Sequence, residues 1–233
     1  MKKKVILMCI AGALALTAAI GSTLAGFYTE PAEAAVIQIS TRSLGIDIQD
    51  AEAPLSAAVY EEKLKDTALP GEKITFSRNV CNNTRNGYEL YTRVTICKRW
   101  EKNGNDELDA SKIHLCMDNE QFSLKGVELT EENRETIEKA GWLLWYQDDE
   151  QVILYYKYPL KAAGEGTGGE ETTDFISAVS IDGSVDNRYA EAAIELEFRV
   201  DAVQAVAAEA AMISEWGVYP EFSGDGTILS IAE

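Results

Sequence analysis

The stretch from Ala193 to Ala202 alternates strictly between apolar and charged side chains. Its apolar members are Ile194, Leu196, Phe198 and Val200, and its charged members are Glu195, Glu197, Arg199 and Asp201. Because successive side chains of a β-strand point to opposite faces, this pattern predicts a strand with one face in a core and the other in water. Half-buried strands of this kind are typical of antiparallel sheets, so the pattern favours an all-β fold.

Further strand signals are spread along the chain between turn residues. The segment from Tyr88 to Lys98 alternates in the same way, and the aromatic stretches 142–147 and 152–158 predict a hairpin around the acidic turn 148–150. The remaining predicted strands are 36–40, 44–48, 73–79, 113–117 and 172–181. Together these segments indicate about seven to nine strands.

Helix signals are few. Residues 130–140 are the best candidate, because Thr130 can cap a helix there and Gly141 can end it. The Ala-rich stretch 203–212 can also turn helical, and residues 49–68 suggest a short helix or a long surface loop. Because strands and helices do not alternate regularly, the sequence predicts an antiparallel β-sandwich of jelly-roll type with a few short helices.

The N-terminus has the three-part layout of an export signal. Lysines at positions 2–4 precede an uncharged run from Val5 to Ile20, and small side chains then predict cleavage between Ala25 and Gly26. A membrane-spanning helix is the alternative, but this run of 16 residues is shorter than the roughly 20 that a span needs. A second cleavage site at 32–34 (Ala-Glu-Ala) lies further from the apolar run and ranks lower.

This layout divides the chain into three parts. Residues 1–25 are predicted to be a signal helix that is removed on export. Residues 26–218 are predicted to form the sandwich domain, and residues 219–233 a loosely held C-terminal tail.

The chain is strongly acidic. It has 39 acidic and 21 basic residues and a formal net charge of −18. Removing residues 1–25 takes away three lysines and no acid, so the other 208 residues carry −21. A surface this negative repels phosphate backbones and anionic lipids, so neither nucleic acid nor a membrane is an expected partner after cleavage.

The sequence gives little support for a catalytic or metal centre. Cys9 lies in the signal, and the remaining Cys81, Cys97 and Cys116 allow at most one intramolecular disulfide, so buried or half-buried thiols are expected. His114 is the only histidine, and neither CxxC nor HExxH spacing occurs, so no zinc site is expected. A site that pairs Cys116 with His114 is a remote alternative, since no third group orients the base.

Two acidic turns and one aromatic group are further candidates for binding. The turns 148–150 and 182–186 carry oxygens that could bind calcium, but neither has the ligand spacing of a known loop, so solvated turns are preferred. The aromatic residues are Trp142, Trp145, Tyr155, Tyr156 and Tyr158. They could form a carbohydrate- or partner-binding face, although about half of them are expected in the core because strands alternate between faces.

Several short motifs occur in a specific order along the chain. They are 21–30 (GSTLAGFYTE), 69–72 (LPGE), 81–84 (CNNT), 141–142 (GW), 155–160 (YYKYPL), 175–181 and 195–204 as closing strands, and 216–218 (WGV). In this order the motifs resemble the TasA/camelysin family, whose members are exported through a SipW-type signal peptidase. The Phe-Tyr-Thr-Glu patch at 27–30 departs modestly from the family's Tyr-Phe-Thr-Asp.

The resemblance implies a secreted jelly-roll domain and, as in the family's best-known members, assembly into the matrix fibres of a biofilm. Such fibres form when an N-terminal strand of one subunit completes the sheet of the next. The donor-strand candidate is Val36, Ile37, Gln38, Ile39 and Ser40. The residues alone favour the simpler alternative, in which this segment is the first strand of its own domain.

The sequence thus predicts a non-enzymatic structural protein, without a cofactor, secreted to the cell surface or extracellular matrix of a Gram-positive-type bacterium. Its expected partners are further copies of itself in filaments, other matrix proteins, and a SipW-type signal peptidase during export. A monomeric surface adhesin or binding module on the same fold is the alternative. An extracellular metallopeptidase, a class given to some family members, ranks third because a single histidine offers no paired ligands.

Overall fold

The computed structural model describes residues 37–39, 42–44, 46–50, 54–57, 59–64, 70–84, 87–101, 108–164 and 168–233. The predicted signal segment 1–25 and the cleavage site between Ala25 and Gly26 lie outside these residues. Val36 and Ser40, the two ends of the donor-strand candidate, also lie outside them.

The described residues form mainly β-strands. The strands are β1 Ile37–Ile39, β2 Arg42–Leu44, β3 Ile46–Asp50, β4 Pro54–Ala57, β5 Val59–Leu64, β6 Lys73–Asn82, β7 Leu90–Glu101, β8 Ile113–Asn119, β9 Leu124–Glu128, β10 Trp142–Gln147, β11 Gln151–Tyr156, β12 Ile176–Ile181, β13 Ala193–Gln204, β14 Tyr219–Phe222 and β15 Ile228–Ala232. The α-helices are α1 Arg134–Lys139 and α2 Ala208–Trp216. Short 3-10 turns lie at Ala110–Lys112, Glu120–Phe122, Glu131–Asn133 and Asn187–Tyr189.

Eleven of the strands form two antiparallel sheets. The six-stranded sheet has the order β4-β3-β6-β12-β8-β9, and the five-stranded sheet has the order β10-β11-β7-β13-β5. The remaining four described strands form two small antiparallel hairpins, β1 with β2 and β14 with β15. The predicted all-β antiparallel sandwich is confirmed, whereas its jelly-roll connectivity stays a prediction.

The pairing of β7 with β13 forms the centre of the five-stranded sheet. The two strands run against each other over twelve residues, from Ala193 opposite Glu101 to Gln204 opposite Leu90, without a break in register. The apolar residues predicted for the inner face of β13 are all buried, and Phe198 is fully so. The alternation in 88–98 and in 193–202 therefore correctly predicted two strands and the face that each one buries.

Aromatic side chains from both sheets meet in the core. The ring of Phe198 in β13 lies 5.6 Å from that of Phe175 and 6.3 Å from that of Phe76 in β6. Trp142 of β10 is fully buried, and its ring lies 6.0 Å from Phe175. Since burying one such ring contributes about 1.5–3 kcal/mol, this cluster is a main source of the attraction between the sheets.

Two buried polar side chains also join the sheets, one near each end of β7. Asn82, at the end of β6, donates from Nδ2 to the carbonyl oxygens of Tyr88 (3.1 Å) and Leu160 (2.8 Å), and its Oδ1 accepts from the Thr84 amide (3.2 Å). Lys98 of β7 donates from Nζ to the Ile113 carbonyl of β8. Burial lowers the pKa of the Lys98 ammonium, so this hydrogen bond compensates part of a desolvation cost.

The C-terminal residues cover the outer face of the five-stranded sheet. Helix α2 and the β14–β15 hairpin pack on this face, with Met212 and Ile228 fully buried against Tyr155. The Ile228 amide also donates to the Lys157 carbonyl at 2.8 Å. The expectation of a loosely held tail at 219–233 is therefore wrong, because these strands, although too short to show a clear alternation, bury a second apolar cluster.

Two other local predictions need correction. Residues 49–68 were expected to form a helix or a loop, but they contribute β4 and β5 as well as the end of β3. Pro54 begins β4 at the edge of its sheet, where its missing amide hydrogen needs no partner. The helix predicted at 130–140 begins as a 3-10 turn and becomes α-helical at Arg134, and the Thr130 side chain makes no cap.

Replacing Asn82 tests whether its side chain joins the sheets. In Asn82→Ala, the carbonyl oxygens of Tyr88 and Leu160 each lose a hydrogen bond and the buried Thr84 amide loses its acceptor, so we expect the free energy of unfolding to fall by about 2–4 kcal/mol. Urea unfolding followed by circular dichroism measures this loss. Asn187→Ala, at an exposed position, is the matched control and should stay within about 0.5 kcal/mol. An equally small effect in both variants would contradict the assignment.

Candidate functional site

The features that suit assembly are the sheet edges, because an edge strand presents unpaired backbone groups to a further strand. The two large sheets end in β4 and β9 and in β10 and β5. No strand within the described ranges pairs with the outer side of any of these four. The edges differ in how well they could receive a strand.

Two of the edges are poorly suited to pairing. β4 has four residues, begins with Pro54 and has an irregular register with β3. β9 has an irregular register with β8, and Gly126 in its middle has a φ of +62°, which interrupts the extended backbone. Irregularities of this kind are how natural sheets discourage edge-to-edge pairing. The five-stranded sheet has one edge with a regular register and one with a bulge.

β5 and β10 are the edges of the five-stranded sheet. β5 keeps an unbroken register with β13, from Val59 opposite Arg199 to Leu64 opposite Ile194. β10 pairs with β11 and has a bulge between Leu144 and Tyr146. β10 adjoins a groove.

The groove beside β10 has a volume of about 160 Å³. Residues from α1, β10 and β15 form its walls: Arg134, Glu138, Leu143, Leu144, Trp145, Leu229, Ser230 and Ile231. Leu229 is 50% exposed, and the bulge residue Trp145 packs with its ring 6.2 Å from that of Tyr155. The groove thus has a mixed lining, in which apolar residues of β10 and β15 lie beside Arg134, Glu138 and Ser230.

Ion pairs balance the charges at the α1 end of the groove. Arg134 donates to both carboxylate oxygens of Glu131, at 2.7 and 2.6 Å. Glu138 accepts from Lys157 Nζ at 2.9 Å. Each pair is partly exposed and adds little stability, and Glu132 and Glu135 on the same segment remain exposed.

The donor-strand candidate lies in a separate hairpin. β1 pairs with β2 through three residue pairs, Ile37 with Leu44, Gln38 with Ser43 and Ile39 with Arg42. Among the described strands β1 has no other partner, so it belongs to neither large sheet. The alternative, in which this segment is the first strand of its own domain, therefore holds only in part. β1 pairs within its own chain, but it joins neither large sheet.

The strand that follows the β1–β2 hairpin and the groove belong to opposite sides of the sandwich. That strand, β3, pairs with the edge strand β4 and packs across the core from β13. α1 contacts both β9 and β10, so those two edges lie together on the other side.

The surroundings of His114 do not assemble a Cys–His site. Its Nδ1 lies 2.5 Å from a Glu128 carboxylate oxygen, and its Nε2 lies 3.4 Å from an Asp182 oxygen. Both ring nitrogens thus face carboxylates, on opposite sides of the ring. Cys116 is buried, and burial raises the pKa of its thiol, which makes it a poor nucleophile. Cys81, Cys97 and Cys116 are all free thiols, and the expectation of buried or half-buried cysteines is confirmed.

The acidic turns use their carboxylates to hold their own backbone. Asp148 accepts from the amides of Glu150 (2.8 Å) and Gln151 (2.6 Å) and from the Tyr146 hydroxyl (2.7 Å). Asp182 accepts from the Ser184 amide at 2.7 Å. Within the described part of the chain, no three His, Cys, Asp or Glu side chains are grouped to hold a metal ion. These contacts favour the solvated-turn interpretation over the calcium hypothesis.

The aromatic candidates divide between two cores rather than forming one binding face. Trp142, Tyr155 and Tyr156 are buried, and the Tyr155 ring lies 5.3 Å from that of Trp216 in α2. Tyr158 remains 45% exposed, and Trp145 lines the groove. The sequence predicted the strands that carry these residues and a helix that overlaps α2, but not the β14–β15 hairpin that also covers them.

Comparison of the chain with protein-family models, with curated proteins and with solved structures gave no match. The resemblance to the TasA/camelysin family therefore stays a prediction drawn from the short motifs. In the portion of the chain that is described, neither helix is long and apolar enough to cross a bilayer.

The hydrogen bonds of the Asp182 turn lead to a prediction about how stability depends on pH. Hydrogen bonds from Ser184 hold the pKa of Asp182 at about 2, below its ordinary 3.8. A depressed pKa stabilises the fold above about pH 4, and this contribution is lost as the pH falls from 4 towards 2. We therefore expect the stability difference between the unsubstituted protein and Asp182→Asn to shrink between pH 4 and pH 2 in urea titrations.

A second variant controls for net charge in that titration. Asp149→Asn removes the same charge from the exposed 148–150 turn. A stability difference for Asp182→Asn that stays constant from pH 5 to pH 2 would contradict the role given to the Ser184 hydrogen bonds.

Proposed function

We propose that the mature chain is a secreted, non-enzymatic structural protein of the cell surface or extracellular matrix, and that it assembles into filaments by strand donation. A biofilm matrix is the setting that the motif resemblance suggests. The observation that carries the proposal is the position of β1, which pairs only with the three residues of β2 among the described strands and stands outside both large sheets.

The energetics of β1 support an exchange of partners. An isolated two-stranded hairpin is marginally stable in water, so releasing β1 from β2 costs little. An added edge strand gains backbone hydrogen bonds along its length and buries its apolar side chains, as peptides do when they extend a sheet. The low cost of leaving the hairpin and the gain from joining a sheet both favour β1 in a neighbour's sheet.

The geometry supports an open chain of subunits. A contact between two different surfaces repeats from copy to copy, and it produces a filament when the rotation does not close a ring. Here the donor strand leads into β3, next to the β4 edge of its sheet, and the edges of β9 and β10 lie on the other side. This arrangement supports head-to-tail assembly of identical subunits.

Filament formation by the mature chain, residues 26–233, tests the proposal. We expect filaments in negative-stain micrographs and a pelleted fraction in sedimentation, and we expect both to disappear from a chain that begins at residue 41. A chain that begins at Val36 keeps the donor strand and is the matched control. A correctly processed protein that stays monomeric would instead favour the surface adhesin, and metal-dependent peptidase activity would favour the third-ranked hydrolase.

Ionic strength gives an independent test of assembly. Copies that each carry a formal charge of −21 repel one another, and raising the salt from 10 to 150 mM shortens the screening length from about 30 Å to about 8 Å. We therefore expect faster filament growth at the higher salt, measured by light scattering. Choline chloride at equal ionic strength controls for a specific sodium effect, and slower growth in both salts would contradict the expectation.

A further inference from the structure

His114 of β8 lies between two carboxylates that come from different elements of the six-stranded sheet. Its Nδ1 is 2.5 Å from Oε1 of Glu128, the last residue of β9, and its Nε2 is 3.4 Å from Oδ2 of Asp182, in the turn after β12. β9 and β12 are the two neighbours of β8 in the sheet. The ring thus connects one neighbouring strand with the turn that follows the other, and these two contacts are called the histidine bridge below.

The two contacts of the bridge are satisfied together only by a charged ring. A neutral imidazole carries one N–H, so it donates to one carboxylate and turns a lone pair toward the other. The imidazolium carries an N–H on both nitrogens and donates to both carboxylates. Hydrogen bonds from Ser184 hold the pKa of Asp182 at about 2, so this carboxylate is charged throughout the range in which histidines change their charge.

One further charged group lies on the Asp182 side of the bridge. Lys112, in the 3-10 turn before β8, has its Nζ 3.8 Å from the same Asp182 oxygen and donates to Ser184 Oγ at 3.0 Å. It reduces the negative charge on this side without replacing the ring nitrogen as a donor.

The Glu128 side of the bridge borders a buried part of the sheet. The charge of Glu128 acts on the Lys98 ammonium of β7 and on the Cys116 thiol of β8. Lys73 of β6 also acts on this thiol, but its ammonium is paired with Asp118 at 2.9 Å. The two carboxylates of the bridge therefore remain the groups whose contacts depend directly on the charge of the ring.

Glu128 is placed where β9 ends and the chain turns toward α1. The next amide, that of Leu129, donates to the Leu115 carbonyl of β8 at 2.9 Å, and Asn133 Nδ2 donates to the Glu128 carbonyl at 3.0 Å. The register of β9 with β8 is irregular, so backbone pairing alone holds this edge strand weakly. A side-chain contact at Glu128 therefore adds to the attachment of the end of β9.

We infer that the histidine bridge is a pH-dependent switch, which fixes the end of β9 to the sheet while the His114 ring is charged and releases it when the ring is neutral. Because the carboxylates favour the charged ring, the stabilisation is present near pH 5 and is lost as the pH rises toward 8. The change would extend to α1, which follows β9 and contacts it. The switch does not depend on filament formation.

The composition of the chain isolates the effect of this one ring. His114 is the only histidine, and histidine is the side chain that ordinarily changes its charge between pH 5 and pH 8. Burial raises the pKa of the Cys97 and Cys116 thiols, which moves their titration away from this range. A pH effect on β9 that disappears in His114→Gln therefore belongs to the bridge.

Amide hydrogen exchange of residues 26–233, followed by NMR, tests the switch. We expect the protection factor of the Leu129 amide to fall about fivefold between pH 5.5 and pH 8, the size of effect that two partly exposed ion pairs give. In His114→Gln it should not change with pH. The Leu160 amide, which donates to the Leu90 carbonyl at 2.8 Å, is the internal control and should keep its protection throughout.

A second pair of variants decides the question even if His114→Gln does not fold. Glu128→Gln removes one of the two ion pairs and should reduce the fall to about twofold, whereas Glu132→Gln, at an exposed position on the following segment, should leave it at about fivefold. Constant protection of Leu129 in the unsubstituted protein would overturn the switch. The same fall in His114→Gln, or in Glu128→Gln, as in the unsubstituted protein would overturn it equally.

Discussion

The unbroken pairing of β7 with β13 positions almost every other part of the molecule. The inner face of this ribbon supplies Phe198 to the core between the sheets. Its outer face changes character along its length, because the end near Tyr91 is apolar and lies under the C-terminal elements, whereas Arg99 at the other end is exposed. Arg93 marks the transition, since its guanidinium lies 5.3 Å from the centre of the Trp216 ring and donates to Asp201 at 2.7 Å.

This ribbon also explains which parts of the fold could be predicted. Residues 88–98 and 193–202 alternate cleanly because each has one face in the core for its whole length, so burial imposes the pattern directly on the sequence. Residues 49–68 show no such alternation. β5 is a strand because the distant β13 pairs with it, and β4 is a strand because it folds back on the neighbouring β3. β14 and β15 are likewise too short to show a pattern, and their partner surface is supplied by β7, β10 and β11.

Only the donor strand of the candidate site could be predicted from the sequence. The segment 36–40 stands out because its apolar residues lie just beyond the predicted cleavage site. The groove combines Arg134, Trp145 and Leu229, which are far apart in the sequence, and its depth depends on a bulge in β10 that no residue pattern announces. The same limit applies to His114, whose two carboxylate neighbours come from β9 and from the turn after β12.

The acidity of the chain and the ion pairs beside the groove both bear on the proposed assembly. A net charge far from zero keeps separate copies apart, so a filament contact forms more readily where fewer unpaired charges meet. Beside α1, Glu131 and Glu138 are each paired with a basic neighbour, although Glu132 and Glu135 are exposed, and the segment 36–40 carries no charged side chain. Pairing through an uncharged strand thus limits the repulsion that two acidic subunits exert on each other.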